Sequence, residues 1–219
     1  NAFLATKISY INEIANLCEK TKVNIQDVSI GMGLDQRIGS RFLRPGPAYG
    51  GSCFPKDTRA VVSTAKKFKI DLSIIKAAIK SNNNRRKLLS NRVVEIMGKQ
   101  IRRKIITFLG VTFKPNTDDM RESSSLMMIP FLLKKGAIIR YYDPSGSKKE
   151  FKNYKNVSFC KNISIACFNS SYGIGNGLLI PAGPLRENLS MLRNYSAIFL
   201  NGEKKNKRLF SILKEFNNH

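Results

Sequence analysis

Long apolar runs are missing from this 219-residue chain, and none approaches the roughly 20 consecutive apolar residues that a membrane-spanning helix needs. No membrane span is expected. No basic start followed by an apolar core and a small-residue cleavage site opens the sequence, so nothing argues for secretion and a cytoplasmic location is the default expectation. Cysteine is sparse. Its four positions, Cys18, Cys53, Cys160 and Cys167, lie far apart with neither a C-x-x-C spacing nor a histidine beside them, which argues against a metal site and predicts free thiols. Acidic residues are few, 15 against 38 basic ones, leaving a formal net charge of +23 that attracts polyanions. Eight basic residues and one acidic residue fall between Arg85 and Lys104. Elsewhere the lysines are scattered, often beside asparagine and isoleucine, as a composition bias at surface positions would leave them. The sequence also lacks an aromatic-studded basic sheet motif and a zinc-finger spacing, so specific recognition of nucleic acid is not expected.

What is present is enough apolar material, 42% of residues, for one good core or two small ones. Asn1 to Lys20 reads as a helix with Leu4, Ile8, Ile11 and Ala15 along one stripe, widened by Phe3, Ile14 and Leu17. A second helix is expected from Asn24 to Gly31, followed by a glycine- and proline-rich stretch from Arg44 to Pro55. Helix resumes after Pro55, because proline fits a first turn where its missing N–H would have had no partner. Thr58, Val61, Val62 and Ala65 supply its inward spacing, and a further helix from Leu72 to Met97 turns Ile75, Ala78, Leu88, Val93 and Ile96 inward until Gly98 stops it. At Lys104 the period changes. The run IITFLGVTF reads as a buried parallel strand, Ser123 to Lys135 as a helix capped by Gly136, and AIIRYYDP as a second strand. Strand, helix and strand in that order make one crossover unit of a doubly wound sheet. Two more apolar runs, NISIACF from Asn162 and SAIFLNG from Ser196, flank a glycine- and proline-rich loop and a short helix near Leu185 to Arg193. The expected architecture is therefore α/β, a helical region followed by a partial doubly wound, Rossmann-like parallel sheet.

The stretch PAYGGSCFPKD carries the most chemistry. Gly50 and Gly51 remove side chains, so that a ligand could approach the backbone closely. Cys53 sits just ahead of the helix that Pro55 opens, where unpaired N–H groups and the positive end of the helix dipole favour a thiolate, and Lys56 adds a charge nearby. Asp57 is close enough in sequence to order or to deprotonate a water. A nucleophile beside a possible base is the arrangement covalent catalysis needs. Taken alone, a cysteine here is more often a small buried apolar residue in a turn.

Three segments, NAFLATKISYINEIANLCEK, GLDQRIGSRFLRPGPAYGGSCFPKD and FLGVTFKPNTDDMRESSS, together resemble the UDP-glucose/GDP-mannose dehydrogenase family over residues 1 to about 158. The resemblance implies a four-electron, NAD-dependent oxidation of a UDP-sugar, UDP-glucose first, through a thiohemiacetal and a thioester on Cys53. It implies that Asp57 assists thioester hydrolysis and that Asn1 helps hold the reacting oxygen. Arg37 matches a substrate-contacting arginine delivered across a homodimer built on the first helix. Phe42, Leu43, Arg44, Tyr49 and Gly50 match the loop around the UDP-sugar, and Lys114 matches a basic residue at the substrate. Lys56 and Arg121 match residues near the phosphates or ring of NAD. Three regions are implied: a helical central region with the cysteine loop over residues 1–100, a partial UDP-binding domain over 104–158, and a tail over 162–203.

The family also has a dinucleotide fold and a catalytic lysine ahead of the position that Asn1 matches. Neither stands in this sequence, so a chain without the full activity is expected. The tail segment SYGIGNGLLIPAGPLRENLSMLRNYSAIFLNGE resembles tetraacyldisaccharide 4′-kinase, yet the phosphate-binding string GxxxxGK[ST] is absent, and Gly173, Gly175 and Gly177 are followed by Leu178 where a dinucleotide fingerprint would continue. A non-catalytic remnant or fusion that includes this kinase segment is the alternative reading. A basic polyanion binder is a third.

Overall fold

A computed structural model describes residues 1–98 and 101–162, together with the backbone of 168–169 and 173–174. Four helices come first. Helix α1, Ala2–Thr21, ends where Lys22 turns left-handed (φ 59°) and returns its N–H to the carbonyls of Cys18 and Glu19. It buries Ala5, Ile8, Ile11, Asn12 and Cys18 while Phe3, Tyr10 and Leu17, seven residues apart, stay exposed. Helix α2, Ile25–Leu34, starts where the Asn24 side chain accepts the Gln26 N–H at 3.0 Å, a cap typically worth about 1 kcal/mol. The loop after α2 is tied back to α1 by Lys7, whose Nζ donates to the carbonyls of Ile38 and Gly39 at 2.8 and 3.2 Å. Helices α3, Cys53–Lys67, and α4, Ser73–Met97, both pack on α1, and α4 also packs against the sheet region.

The sheet region follows as β1 (Ile105–Leu109), α5 (Ser125–Lys134), β2 (Ile138–Tyr142) and β3 (Val157–Phe159), with a 3₁₀ turn at Lys149–Phe151. The three strands are parallel in the order β1-β2-β3, with Ile105 opposite Ile138 and Tyr141 opposite Phe159. Their side chains meet α5 in a core that includes Phe108, Met128, Ile129, Leu132 and Ile139, joined by Val93 from α4. Phe108 is fully buried, and truncating it to alanine would cost about 3–5 kcal/mol. Phe168–Asn169 and Gly173–Ile174 form a separate antiparallel pair, β4 and β5.

The expected α/β architecture stands, a helical region and then a parallel sheet, and the stops at Gly98 (φ 59°) and Gly136 (φ 86°) lie where expected. Four details differ. Helix α3 begins at Cys53 itself rather than after it. Helix α2 runs on to Leu34, past two glycines. Leu88 and Ile96 of α4 and Val61 of α3 are exposed, because the face of α4 that packs inward carries Ala78, Asn82, Arg86, Ser90 and Val93. A stripe with three polar members is invisible to a search for apolar periodicity. Finally, the third strand comes before Asn162, at Val157–Phe159, where three residues are too few to show an alternating pattern. Most of NISIACF, all of SAIFLNG and the short helix expected at 185–193 lie outside the described residues.

Candidate active site

The cysteine loop is held by side chains from helices on two sides. From α4, Asn82 grips the backbone of Tyr49 at both ends: its Oδ1 accepts the Tyr49 N–H at 2.8 Å and its Nδ2 donates to the Tyr49 carbonyl at 3.0 Å. One turn later Arg86, largely buried, donates through Nη2 to the same carbonyl at 2.9 Å. Gly46 is held likewise, its N–H by Asn12 Oδ1 of α1 at 2.7 Å and its carbonyl by Arg85 Nε at 3.1 Å. Backbone polar groups removed from water need such partners, and here side chains supply what a strand or helix would otherwise supply.

The two glycines of the loop are required by the packing of the protein itself. A Cβ on Gly50 would run into the Glu122 carbonyl, and one on Gly51 (φ 76°) would lie 2.6 Å from the Phe113 ring. The protein's own sheet region approaches the loop closely here. The Gly51 N–H also donates to the Arg121 carbonyl at 2.8 Å, sealing the contact.

Beyond this seal Cys53 opens α3 with an exposed thiol, its Sγ 3.9 Å from Ser52 Oγ. One helical turn on, the Asp57 carboxylate accepts from Asn1 Nδ2 at 2.5 Å and pairs with Lys56 Nζ at 3.0 Å. The Asn1 hydrogen bond first, and Lys56 second, hold Asp57 below the ordinary aspartate range. A carboxylate held ionised in this way orients a water well and takes a proton from it only weakly. Lys56 is raised, chiefly by the hydrogen bond to Asp57, and Arg121 by its fork onto Asp119; Cys53 contributes to both shifts. A cleft of about 680 Å³ opens beside the start of α3, with Ser52, Lys56, Arg59, Arg121 and Met127 among its walls.

The other residues singled out in the sequence fall into two groups. Phe42 (φ 65°) and Tyr49 both set their rings edge-on to Phe54, at 5.9 and 6.0 Å, and Leu43 is buried with its carbonyl held by Ser29 Oγ. These join Gly50 and Cys53 in one loop. Arg44 is exposed on the same loop, and Lys114 is exposed with its ammonium 5.4 Å from the Phe113 ring. Arg37 stands apart. It lies 89% exposed, forked onto Asp35 in the loop beyond α2, and no contact ties it to the cysteine loop among the described residues.

Several residues of the site were not singled out from the sequence. Glu122 receives Arg59 at 2.6 Å and Arg86 at 3.1 Å; burial alone would raise its pKa, and these two hydrogen bonds carry it below the ordinary glutamate range instead. Asp143, at the end of β2, accepts the N–H groups of Val111 and Thr112 at 2.8 and 3.4 Å and so fixes the loop that presents Lys114. The one available signal was the Asn82, Arg86, Ser90 spacing, a polar stripe on a helix that must bury something.

Residues 1–84 match the profile of the UDP-glucose/GDP-mannose dehydrogenase family central domain, and residues 107–172 that family's UDP binding domain. Residues 154–217 match the profile of tetraacyldisaccharide-1-P 4'-kinase, overlapping the end of the UDP binding domain. The chain is 49% identical over 152 residues to the UDP-glucose 6-dehydrogenase of Rhizobium meliloti, covering 69% of this chain and 35% of that protein. A UDP-glucose 6-dehydrogenase of Bacillus subtilis is 51% identical over 144 residues, 66% of this chain and 32% of that one. Among solved structures, a UDP-glucose dehydrogenase from Pyrobaculum islandicum superimposes with a TM-score of 0.74 at 32% identity, over 84% of this chain and 41% of that one. The chain thus spans about a third of the length of the curated relatives it matches.

Proposed function

Over residues 1–84 and 107–172 the chain belongs to the UDP-glucose/GDP-mannose dehydrogenase family, and from that footing we propose that it serves the oxidation of UDP-glucose to UDP-glucuronate with Cys53 as the nucleophile. The observation that carries this reading is the cluster at the start of α3: an exposed thiol, and one turn away a carboxylate held ionised by Asn1 and Lys56.

In this reading the primary alcohol of the sugar first loses a hydride and a proton to give the aldehyde. Cys53 Sγ then adds to the aldehyde carbon, its proton passing to the oxygen, and a thiohemiacetal forms. Loss of a second hydride and of the hydroxyl proton leaves a thioester. A water oriented by Asp57 attacks the thioester carbon, the C–S bond breaks, and the carboxylate leaves with the thiol restored. NAD, when bound, supplies the hydride acceptor for both oxidations. The residues of the cleft suit its phosphates, since Lys56 and Arg121 are exposed cations that line it, and they would hold that part of it. Lys114 and Arg44, both exposed, supply charge for the UDP diphosphate, while the Phe42, Leu43, Tyr49 and Gly50 stretch forms the wall beside the sugar.

The reading extends to a second copy of the chain. Phe3, Tyr10 and Leu17 line one uncovered face of α1, and a twofold pairing of that face would give Arg37 a route to the partner's substrate loop. The test of the function is UDP itself. A ligand present at about 100 times its Kd stabilises the folded state by about 2.7 kcal/mol, so UDP and UDP-glucose should raise the melting temperature of this chain and UDP-glucose should slow alkylation of Cys53. No shift with millimolar UDP would overturn the assignment.

A further inference from the structure

Arg86 lies outside the residues that match the two dehydrogenase family profiles, yet it joins two parts of the site. Its guanidinium lies between two segments that the chain keeps 73 residues apart (49 to 122), and it binds both at once: the Tyr49 carbonyl of the cysteine loop at 2.9 Å, the Glu122 carbonyl at 2.8 Å and the Glu122 carboxylate at 3.1 Å. We propose that Arg86 is the positioning residue for the nucleophile, locking the cysteine loop onto the Arg121–Glu122 turn of the sheet region so that the sheet region sets where Cys53 stands.

Three observations converge on this. Glu122 is held from its other side by Arg59 of α3 at 2.6 Å, so the carboxylate links the helix that starts at Cys53 to the helix that carries Arg86. The glycines at 50 and 51 allow the turn to touch the loop backbone directly, and the Gly51 N–H closes the junction on Arg121. The arginine is also 8% exposed, with its Nε lacking a partner. A buried guanidinium with an unpartnered N–H is a poor stabilising element, since replacing such ion pairs by packed apolar groups is often neutral or favourable. Fixing a geometry is what its fork of donors does well. Arg121 flanks this junction and lines the cleft, so the lock places the cleft wall and the thiol in one rigid unit. The proposal rests on Cys53 being the nucleophile of the reading above.

The test compares the wild-type chain with Arg86→Met, Arg86→Lys and Glu122→Gln by amide hydrogen exchange and by alkylation of the three described cysteines. In Arg86→Met the amides of the 46–54 segment should exchange on the order of tenfold faster, about what losing one hydrogen bond to a charged group gives, while α1 and the β1–β2 pair keep their protection. Lysine retains the charge without the fork and should restore part of the protection. The Cys53 alkylation rate should change with the loop, and Cys18 and Cys160 should remain unreactive. Loop exchange and Cys53 rate within twofold of wild type in both Arg86 variants would overturn the proposal, as would a uniform rise across a chain in which Cys18 and Cys160 stay unreactive, the mark of a merely structural role. Should Arg86→Met expose Cys18 and Cys160 by failing to fold, Glu122→Gln decides: unchanged loop exchange refutes the lock and faster exchange supports it. UDP added to the wild type separates the two ideas. Without a UDP effect on melting the assigned function falls, whereas the exchange comparison stands on its own.

Discussion

Gly50→Ala tests a close approach between the cysteine loop and the sheet region. The added methyl would meet the Glu122 carbonyl oxygen and, within 3.0 Å, the Phe113 Cβ; the first is backbone and cannot swing aside. Either the cysteine loop or the Arg121–Glu122 turn must retreat, and overpacking of this kind costs about 1–3 kcal/mol. Retreat also stretches the Gly51 to Arg121 hydrogen bond of 2.8 Å, which adds roughly 0.5–1.5 kcal/mol. Against this, alanine lowers the entropy of the unfolded chain and returns about 0.4–1 kcal/mol. The net loss is about 1–3 kcal/mol, which for a chain of this size lowers the melting temperature by roughly 3–10 °C. Gly31→Ala is the matched control. Gly31 lies inside α2 with nothing within 4 Å of the added Cβ, so the same change there should stabilise by about 0.5–1 kcal/mol. Calorimetric melting of both variants at one protein concentration is the measurement. A Gly50→Ala protein that melts at or above wild type would refute the close-contact argument, and with it the physical basis for the lock.

Three further outcomes are expected. Iodoacetamide should label Cys53 before Cys18 and Cys160, because the first thiol is exposed while the others are 5% and 4% exposed and burial pushes the Cys160 thiol up; equal rates by peptide mass would remove the case for Cys53 as the reactive thiol. Glu122 has a folded pKa below its ordinary value of about 4.3, so its contribution is fully present above that value and is lost as the pH falls through the depressed folded pKa. Wild type should therefore lose stability faster than Glu122→Gln on acidification below about pH 4.3, and parallel acid melting curves would contradict the pairing. Light scattering at micromolar concentration should give a dimer that Leu17→Glu dissociates with helical signal intact, and a wild-type monomer would end the idea that α1 pairs with its copy and carries Arg37 to a shared site.

Much of this protein is legible from sequence where a local rule suffices. Gly98 and Gly136 stop their helices because a left-handed residue is needed there, and β1 and β2 show as apolar runs because a parallel strand is covered on both faces. PAYGGSCFPKD singles out Cys53 as the proposed nucleophile from its own letters. It does not show what stands beside it. Asn1 and Asp57 are 56 residues apart, and Arg86 and Glu122 are 36 apart, with nothing in the intervening spacing that pairs them. Nor does the sequence say that Gly50 and Gly51 yield to the sheet region, or that Arg86 and Asn82 face inward while Leu88 and Ile96 face out. Apolar periodicity reports which side chains leave water for a nonspecific reason. A polar side chain leaves water only where acceptors are already placed to receive it, and only the folded chain, by bringing the Tyr49 and Glu122 carbonyls to one guanidinium, decides where that is.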